Sequence, residues 1–195
     1  VYKRQGKLDR PVSFQVSTRF DILAKMDDEL LRDLKRAGCR SMGLGLESGS
    51  DRILKIIGKN CTAQQIEEGL EMLRLVGIYP TTSIIVGQYT ETLEDAVQSV
   101  ALMQRTMQRD PYLNYAFTLA TPFPGSALYN LVFEKGYLKD EQEFYDRYFS
   151  TPGEFKQVVN LSAMTDNEVM AVLFEMQRLY DEIKQRWNKM LGIGC

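Results

Sequence analysis

Short apolar runs of β-type character and longer stripes of helical spacing take turns along this chain. Phe14 to Thr18 alternates in polarity and ends in Arg19-Phe20-Asp21, which predicts a first strand with a polar exit. Asp27-Asp28-Glu29 then puts acids in a first helical turn ahead of Leu30, Leu31, Leu34 and Ala37, and Gly38 is placed to stop that helix. Met42 to Leu46 reads as a second, buried strand. Two helix starts follow it, one at Asp51 behind Ser48 or Ser50, the other a capping box at Thr62-Ala63-Gln64-Gln65 leading the stripe Ile66, Leu70, Leu73 and Val76 to Gly77. Thr81 to Val86 is β-branched and predicts a third strand closed by Gly87. The helical pattern returns from Thr90 to Met107, and Tyr112 to Leu119 supplies a fourth strand, broken by Thr121-Pro122-Phe123-Pro124-Gly125. A short helix spans Ala127 to Glu134, ended by Gly136.

From Tyr137 the pattern changes. Phe144, Tyr145, Tyr148, Phe149 and Phe155 cluster around Pro152-Gly153, which predicts an irregular lid or appendage whose rings either line a cavity or pack on the body. The last element is a long helix: Thr165-Asp166-Asn167-Glu168 forms a capping box, and Val169 through Val172, Leu173, Met176, Tyr180 and Trp187 to Met190 make one stripe. Alternating strands and helices with long connections argue for parallel strands joined by crossovers. An open doubly wound sheet and a section of a (β/α) barrel both satisfy this. A whole barrel needs about eight strands and about 250 residues.

Composition narrows the chemistry. The formal net charge is −2 with no long basic run, so nucleic acid is not an expected partner. Lys184, Arg186 and Lys189 near the last helix end read as solvated charges that favour its dipole. No apolar run approaches the roughly 18 residues of a membrane span, and a cytoplasmic location is expected. The chain contains no histidine, which excludes a Ser-His-Asp triad, a Cys-His pair and most zinc-hydrolase sites within it. Cys39, Cys61 and Cys195 are too dispersed for a disulfide framework or a local iron-sulfur motif, and no metal ligand is assigned. The first residue is Val1, which suggests a piece of something longer.

The stretch Met42–Thr62 concentrates the functional signal. A carboxylate, Glu47, appears where the second strand stops, beside the free N–H groups of a helix start. Glu47 reads equally well as a local cap or salt-bridge partner. If the sheet is parallel, the four exits share one rim: Arg19, Glu47-Ser48, Gly87 through Glu91-Thr92, and Thr121-Pro122. A guanidinium, an acid and hydroxyls around a glycine floor suit a ligand carrying a carboxylate, an amine and ribose hydroxyls.

The order of motifs resembles a known family. Phe20-Asp21, Asp28-Glu29-Leu30-Leu31, Ala37-Gly38-Cys39 and GLGLESGSDRIL with Lys59 and Thr62, then Gly87 to Glu91-Thr92 and Pro122-Phe123-Pro124-Gly125-Ser126, are similar to the second part of a radical S-adenosylmethionine (SAM) enzyme core. The similarity is to the branch that carries an upstream cobalamin-binding domain, including anaerobic magnesium-protoporphyrin IX monomethyl ester oxidative cyclases of tetrapyrrole biosynthesis. The resemblance implies an α/β fold: a partial (β/α) TIM-type barrel of about four parallel strands over residues 1–136, with a helical extension over 137–195. It implies SAM and a 4Fe-4S cluster as cofactors of the full-length oxidoreductase, cobalamin as a candidate third, and a small-molecule substrate. Glu47 and Ser48 would lie near the cofactor's ribose and amino acid portion, Arg19 at the preceding exit, and Ser83, Ile85 and Gly87 along adenine. No catalytic residue is assigned.

Two departures stand out. The three-cysteine cluster motif is absent, so the expected partner is a missing N-terminal part of the same polypeptide. The chain alone is expected to be inactive and prone to pair through its sheet edges. The third exit reads Gly87-Gln88-Tyr89-Thr90-Glu91-Thr92 where the family has Gly-Leu-Pro-Gly-Glu-Thr, which puts that turn in doubt and lets Tyr89 intrude on cofactor space. Rival readings are a complete small α/β protein binding a nucleotide or sugar phosphate at the same rim, although no glycine-rich phosphate loop follows the first strand, and a non-catalytic interaction module working through its long helix.

Overall fold

A computed structural model of the chain describes residues 12–150 and 157–192. Four strands, β1 (Phe14–Thr18), β2 (Cys39–Glu47), β3 (Tyr79–Val86) and β4 (Asn114–Leu119), lie side by side in that order, and every pair is parallel. Helices α1 (Phe20–Leu23) and α2 (Asp28–Arg36) connect β1 to β2. Then α3 (Asp51–Ile56) and α4 (Ala63–Val76) lead to β3, and α5 (Leu93–Arg109) leads to β4. After β4 come α6 (Ala127–Glu134), α7 (Glu141–Ser150) and α8 (Asp166–Leu191).

The helix starts follow from local chemistry. Asp27 accepts the Leu30 N–H at 2.8 Å to open α2, and Thr62, Thr92 and Thr165 each form a reciprocal capping box. Both candidate starts after β2 are used, because Ser50 caps α3 and Thr62 caps α4. At the end of α2, Gly38 has φ +104°, and a Cβ there would lie 2.0 Å from the Val12 carbonyl oxygen.

The strands have two unlike faces. Met42, Leu44 and Leu46, then Thr82, Ile84 and Val86, then Tyr115, Phe117 and Leu119 are buried, and all but Thr82 join one core with Leu23, Leu31, Ile66, Leu73, Met103, Val169 and Met176 from the helices. The opposite face presents Gln15 and Ser17, Gly43 and Gly45, Thr81, Ser83 and Ile85, and Ala116 and Thr118, all half-buried or exposed. A parallel sheet covered by helices on one side and lined by small and polar residues on the other is a partial (β/α) barrel with a helical extension.

Several expectations need correction. The segment after Tyr137 is not irregular: Phe144, Tyr145, Tyr148 and Phe149 lie on α7. There Phe144 joins Val132, Leu138, Val158 and Leu161 in a second apolar cluster, because aromatic residues three and four apart share a helical face. Phe155 and Pro152-Gly153 lie outside the described residues. Helix α8 spends much of its stripe on the body, with Val169, Val172, Leu173 and Met176 in the core and the Trp187 indole N–H on the Met107 carbonyl at 2.8 Å. Lys184 is not merely solvated, since its ammonium donates to the Pro111 carbonyl at 2.8 Å. The short α1 was not legible, and no helix among the described residues is long and apolar enough to cross a membrane.

Candidate functional site

Parallel pairing sends the carboxyl ends of all four strands to one rim, so Arg19, Glu47-Ser48, Gly87 and Ala120-Thr121 lie along one edge of the sheet. Glu47 is its most constrained residue. Gly45 faces Ser83, but Glu47 faces Ile84 rather than Ile85, because a register shift inserts an extra residue in β2. Glu47 also adopts φ +70°, a left-handed backbone that costs a non-glycine residue about 1–2 kcal/mol. The side chain folds back over Gly45: a Cβ at that position would come within 2.3 Å of the Glu47 Oε1. Its carboxylate accepts from the Lys59 ammonium at 3.0 Å and from the Ser83 hydroxyl at 3.5 Å, and Lys59 also donates to the Gly45 carbonyl at 3.3 Å. Glu47 is therefore a salt-bridge partner, as one reading had it, but a strained and half-buried one on the open face.

Arg19 stands at the rim as the N-cap of α1, with its guanidinium bound to Asp21 at 2.8 Å. That carboxylate raises the Arg19 pKa further, and the arginine in turn holds Asp21 below the usual range. Burial pushes the Cys61 thiol up. Ser48 is placed differently from the other candidates. It is fully buried, its hydroxyl faces Ser99 on α5 at 3.2 Å and accepts the Ser50 N–H at 3.1 Å, so it fixes the turn rather than facing the open side.

The β3 exit keeps its turn despite the altered sequence. Thr90 takes φ +60° where the family has glycine, and the Glu91 N–H closes onto the Gln88 carbonyl at 2.9 Å. Glu91 is buried, and its Oε2 accepts the N–H groups of Gly87 at 2.6 Å and Gln88 at 3.1 Å. Burial pushes this carboxyl up to about 7 against the pull of those two donors. Tyr89 packs against the second apolar cluster. Ile85 and Gln88 instead line a pocket of about 470 Å³ with Thr118, Ala120, Thr121, Phe123, Leu128 and Tyr148. Tyr148 thus lines a cavity, and its ring meets Phe123 edge-on at 5.9 Å.

Sequence reasoning missed three polar residues here: Lys59 as a partner of Glu47, Ser99, and Asp95. The last was detectable, because Thr92-x-x-Asp95 is a capping box. Asp95 accepts from Ser50, Arg52 and Thr92. Burial alone would push its carboxyl up, but these donors outweigh that and hold it well below the usual range.

A cofactor with ribose hydroxyls and an α-amino carboxylate fits this rim. The lack of a side chain at Gly45 makes room for Glu47 and Lys59, which offer an acceptor and a cation there. An iron-sulfur cluster does not fit, since Cys39 is buried in the core and no group of three or more His, Cys, Asp or Glu is placed to hold a metal among the described residues.

Residues 8–103 match the sequence profile of the Radical SAM superfamily. The chain is 31% identical over 127 residues to an uncharacterized methyltransferase of Pyrococcus horikoshii, covering 65% of this chain and 26% of that protein. It is 28% identical over 173 residues to the anaerobic magnesium-protoporphyrin IX monomethyl ester cyclase of Cereibacter sphaeroides, covering 87% of this chain and 26% of that one. The chain thus spans about a quarter of the length of these relatives. Among solved structures, the radical S-adenosylmethionine methyltransferase TsrM from Kitasatospora setae, with cobalamin and a 4Fe-4S cluster bound, superposes with a TM-score of 0.55 at 19% identity, covering 69% of this chain and 26% of that one. That likeness concerns the fold.

Proposed function

Because the chain belongs to the Radical SAM superfamily, we propose that it forms the second part of a radical SAM barrel, in which residues 1–136 supply part of the SAM site and residues 137–195 an extension. In this reading Glu47, with Ser83 behind it, receives the ribose hydroxyls, and Ile85 and Gly87 flank adenine at the mouth of the pocket. Arg19 offers a cation at the first exit, and Ser48 acts by holding the β2 turn. The observation that carries the reading is Glu47 itself, since a left-handed, bulged carboxylate folded over a glycine is a costly arrangement for a residue with only a structural task. SAM, when bound beside a reduced iron-sulfur cluster, supplies a 5′-deoxyadenosyl group for radical chemistry on an unreactive carbon. The cluster-bearing part and the substrate come from outside this chain, which is inert alone, and free Cys39 and Cys61 suit a reducing cytoplasm.

The cyclase of Cereibacter sphaeroides, similar along 87% of this chain, favours a cyclisation of the magnesium-protoporphyrin type, and the family resemblance keeps cobalamin as a candidate further cofactor. The methyltransferase of Pyrococcus horikoshii favours a second reading, methyl transfer. Both readings place SAM at the same rim. The test is SAM binding by the full-length, cluster-loaded protein. Glu47→Gln and Gly45→Ala are each expected to weaken binding about tenfold while moving the thermal midpoint by less than about 3 °C. In Gly45→Ala the new methyl displaces the Glu47 carboxylate rather than backbone. Unchanged affinity in both variants overturns the reading.

A further inference from the structure

The β3 exit turn lacks the proline that would stiffen it and the inner glycine that would accept a left-handed backbone, yet it is formed, and the reason lies on the outer side of the rim. Thr90 is β-branched and sits at φ +60°, a conformation that its own side chain disfavours. Arg52, from α3 after the β2 exit, reaches across to it: Nη2 donates to the Thr90 carbonyl at 2.7 Å and Nη1 to the Thr90 hydroxyl at 3.2 Å. The same guanidinium binds the Asp95 carboxylate through Nε at 3.2 Å and through Nη2. Asp95 in turn accepts the Ser50 hydroxyl at 2.6 Å and both the N–H and the hydroxyl of Thr92, at 2.9 and 2.6 Å. One carboxylate and one guanidinium thereby brace the start of α3 against Thr90 and Thr92, the far side of the turn that carries Gly87 and Gln88.

We propose that Arg52 is a positioning residue for the candidate site: by tying the left-handed Thr90 to the β2 exit through Asp95, it keeps Gly87 and Ile85 in register with Glu47. The inference rests on the SAM-site reading above for its functional meaning, but its structural half stands apart. The hydrogen bonds of Arg52 go to Thr90 and Asp95 and to none of the candidate ligand contacts. Its side chain is 46% exposed, whereas Asp95 is buried, so the residue that gives up part of its hydration is tied to a carboxylate that needs a cation. A lysine keeps that cation but has one compact donor head, and it does not present the guanidinium fork to the Asp95 carboxylate and the Thr90 backbone together.

The experiment compares wild type, Arg52→Lys, Thr90→Gly and the double variant in the full-length, cluster-loaded protein. Amide hydrogen exchange at Gly87 and Gln88 is read alongside SAM affinity. Arg52→Lys is expected to speed exchange at those two amides about tenfold and weaken SAM about tenfold, with global stability retained because Asp95 stays paired. Adding Thr90→Gly, which accepts the left-handed backbone without bracing, is expected to bring both readouts back to within about threefold of wild type. A purely structural role for Arg52 predicts exchange that rises evenly over the domain and is not restored by the glycine. Exchange within about twofold of wild type in Arg52→Lys, or no recovery in the double variant, overturns the proposal. If wild type itself binds no SAM, the SAM-site reading falls, while the exchange data still decide whether Arg52 braces the turn.

Discussion

Two carboxyl groups four residues apart, Glu91 and Asp95, show how much a single side chain's surroundings decide. Glu91 is buried against two N–H donors and is pushed up from 4.5 to about 7, whereas Asp95, ringed by a guanidinium, two hydroxyls and an N–H, is held well below its ordinary value. A raised carboxyl favours the folded state while it is protonated, so the Glu91 contribution is whole below pH 4.5 and is lost as the pH rises through about 7. Asp95 works in the other direction: its contribution is present above its unfolded value of 3.8 and fades on acidification. Urea unfolding is therefore expected to show stability falling by about 2 kcal/mol between mildly acidic and mildly basic pH. Glu91→Gln, which keeps an acceptor for Gly87 and Gln88, should flatten that slope. Neither shift was legible beforehand. Glu47 was visible as an acid at the end of an apolar run, but its positive φ and the bulge beneath it depend on pairing with β3, which one strand's sequence does not encode.

At the scale of elements, helices and strands announced themselves wherever their signals were local. The capping boxes at Thr62 and Thr165 and the β-branched run in β3 needed nothing beyond their neighbours in sequence. Element pairs were harder, and the turn after β2 shows why. Gly49 looked like one member of a Ser-Gly-Ser turn, yet it is where that turn meets α5 backbone to backbone: its N–H donates to the Ser99 hydroxyl at 2.8 Å, and a Cβ would stand 2.6 Å from the Ser99 Cα and 2.8 Å from the Gln98 carbonyl oxygen. No flexible side chain is available there to yield. Gly49→Ala is therefore expected to cost about 2–4 kcal/mol, visible as a lowered denaturant midpoint. Ser99→Ala, which only removes a hydroxyl, should cost nearer 1 kcal/mol. Helix α7 escaped notice for a related reason. Its aromatic face is shaped to meet α6 and the Val158–Leu161 segment rather than the central sheet, so its rings read as an irregular cluster.

For the whole molecule, the parallel order and the shared rim followed from alternating strands and helices, and the resemblance then chose a barrel segment over an open doubly wound sheet. What no sequence pattern displayed was the degree to which the two faces divide their labour. The large apolar residues of β2, β3 and β4 turn mostly toward the helices, and the open face of these strands keeps glycine, serine, threonine and Ala116, with Ile85 the one large apolar residue among those named. Ala116→Lys is accordingly expected to change unfolding free energy by less than about 0.5 kcal/mol while impairing SAM cleavage in the full-length protein, a separation checked by urea titration beside product assay. The long-helix interaction module loses its appeal at this scale, because the stripe of α8 from Val169 to Met176 is already consumed by its own domain. With folding secured from outside, the inner wall is left as nearly neutral ground, where substitutions are inexpensive to the scaffold and consequential to the chemistry. A lineage built on such a wall is free to change what it accepts without having to learn again how to fold.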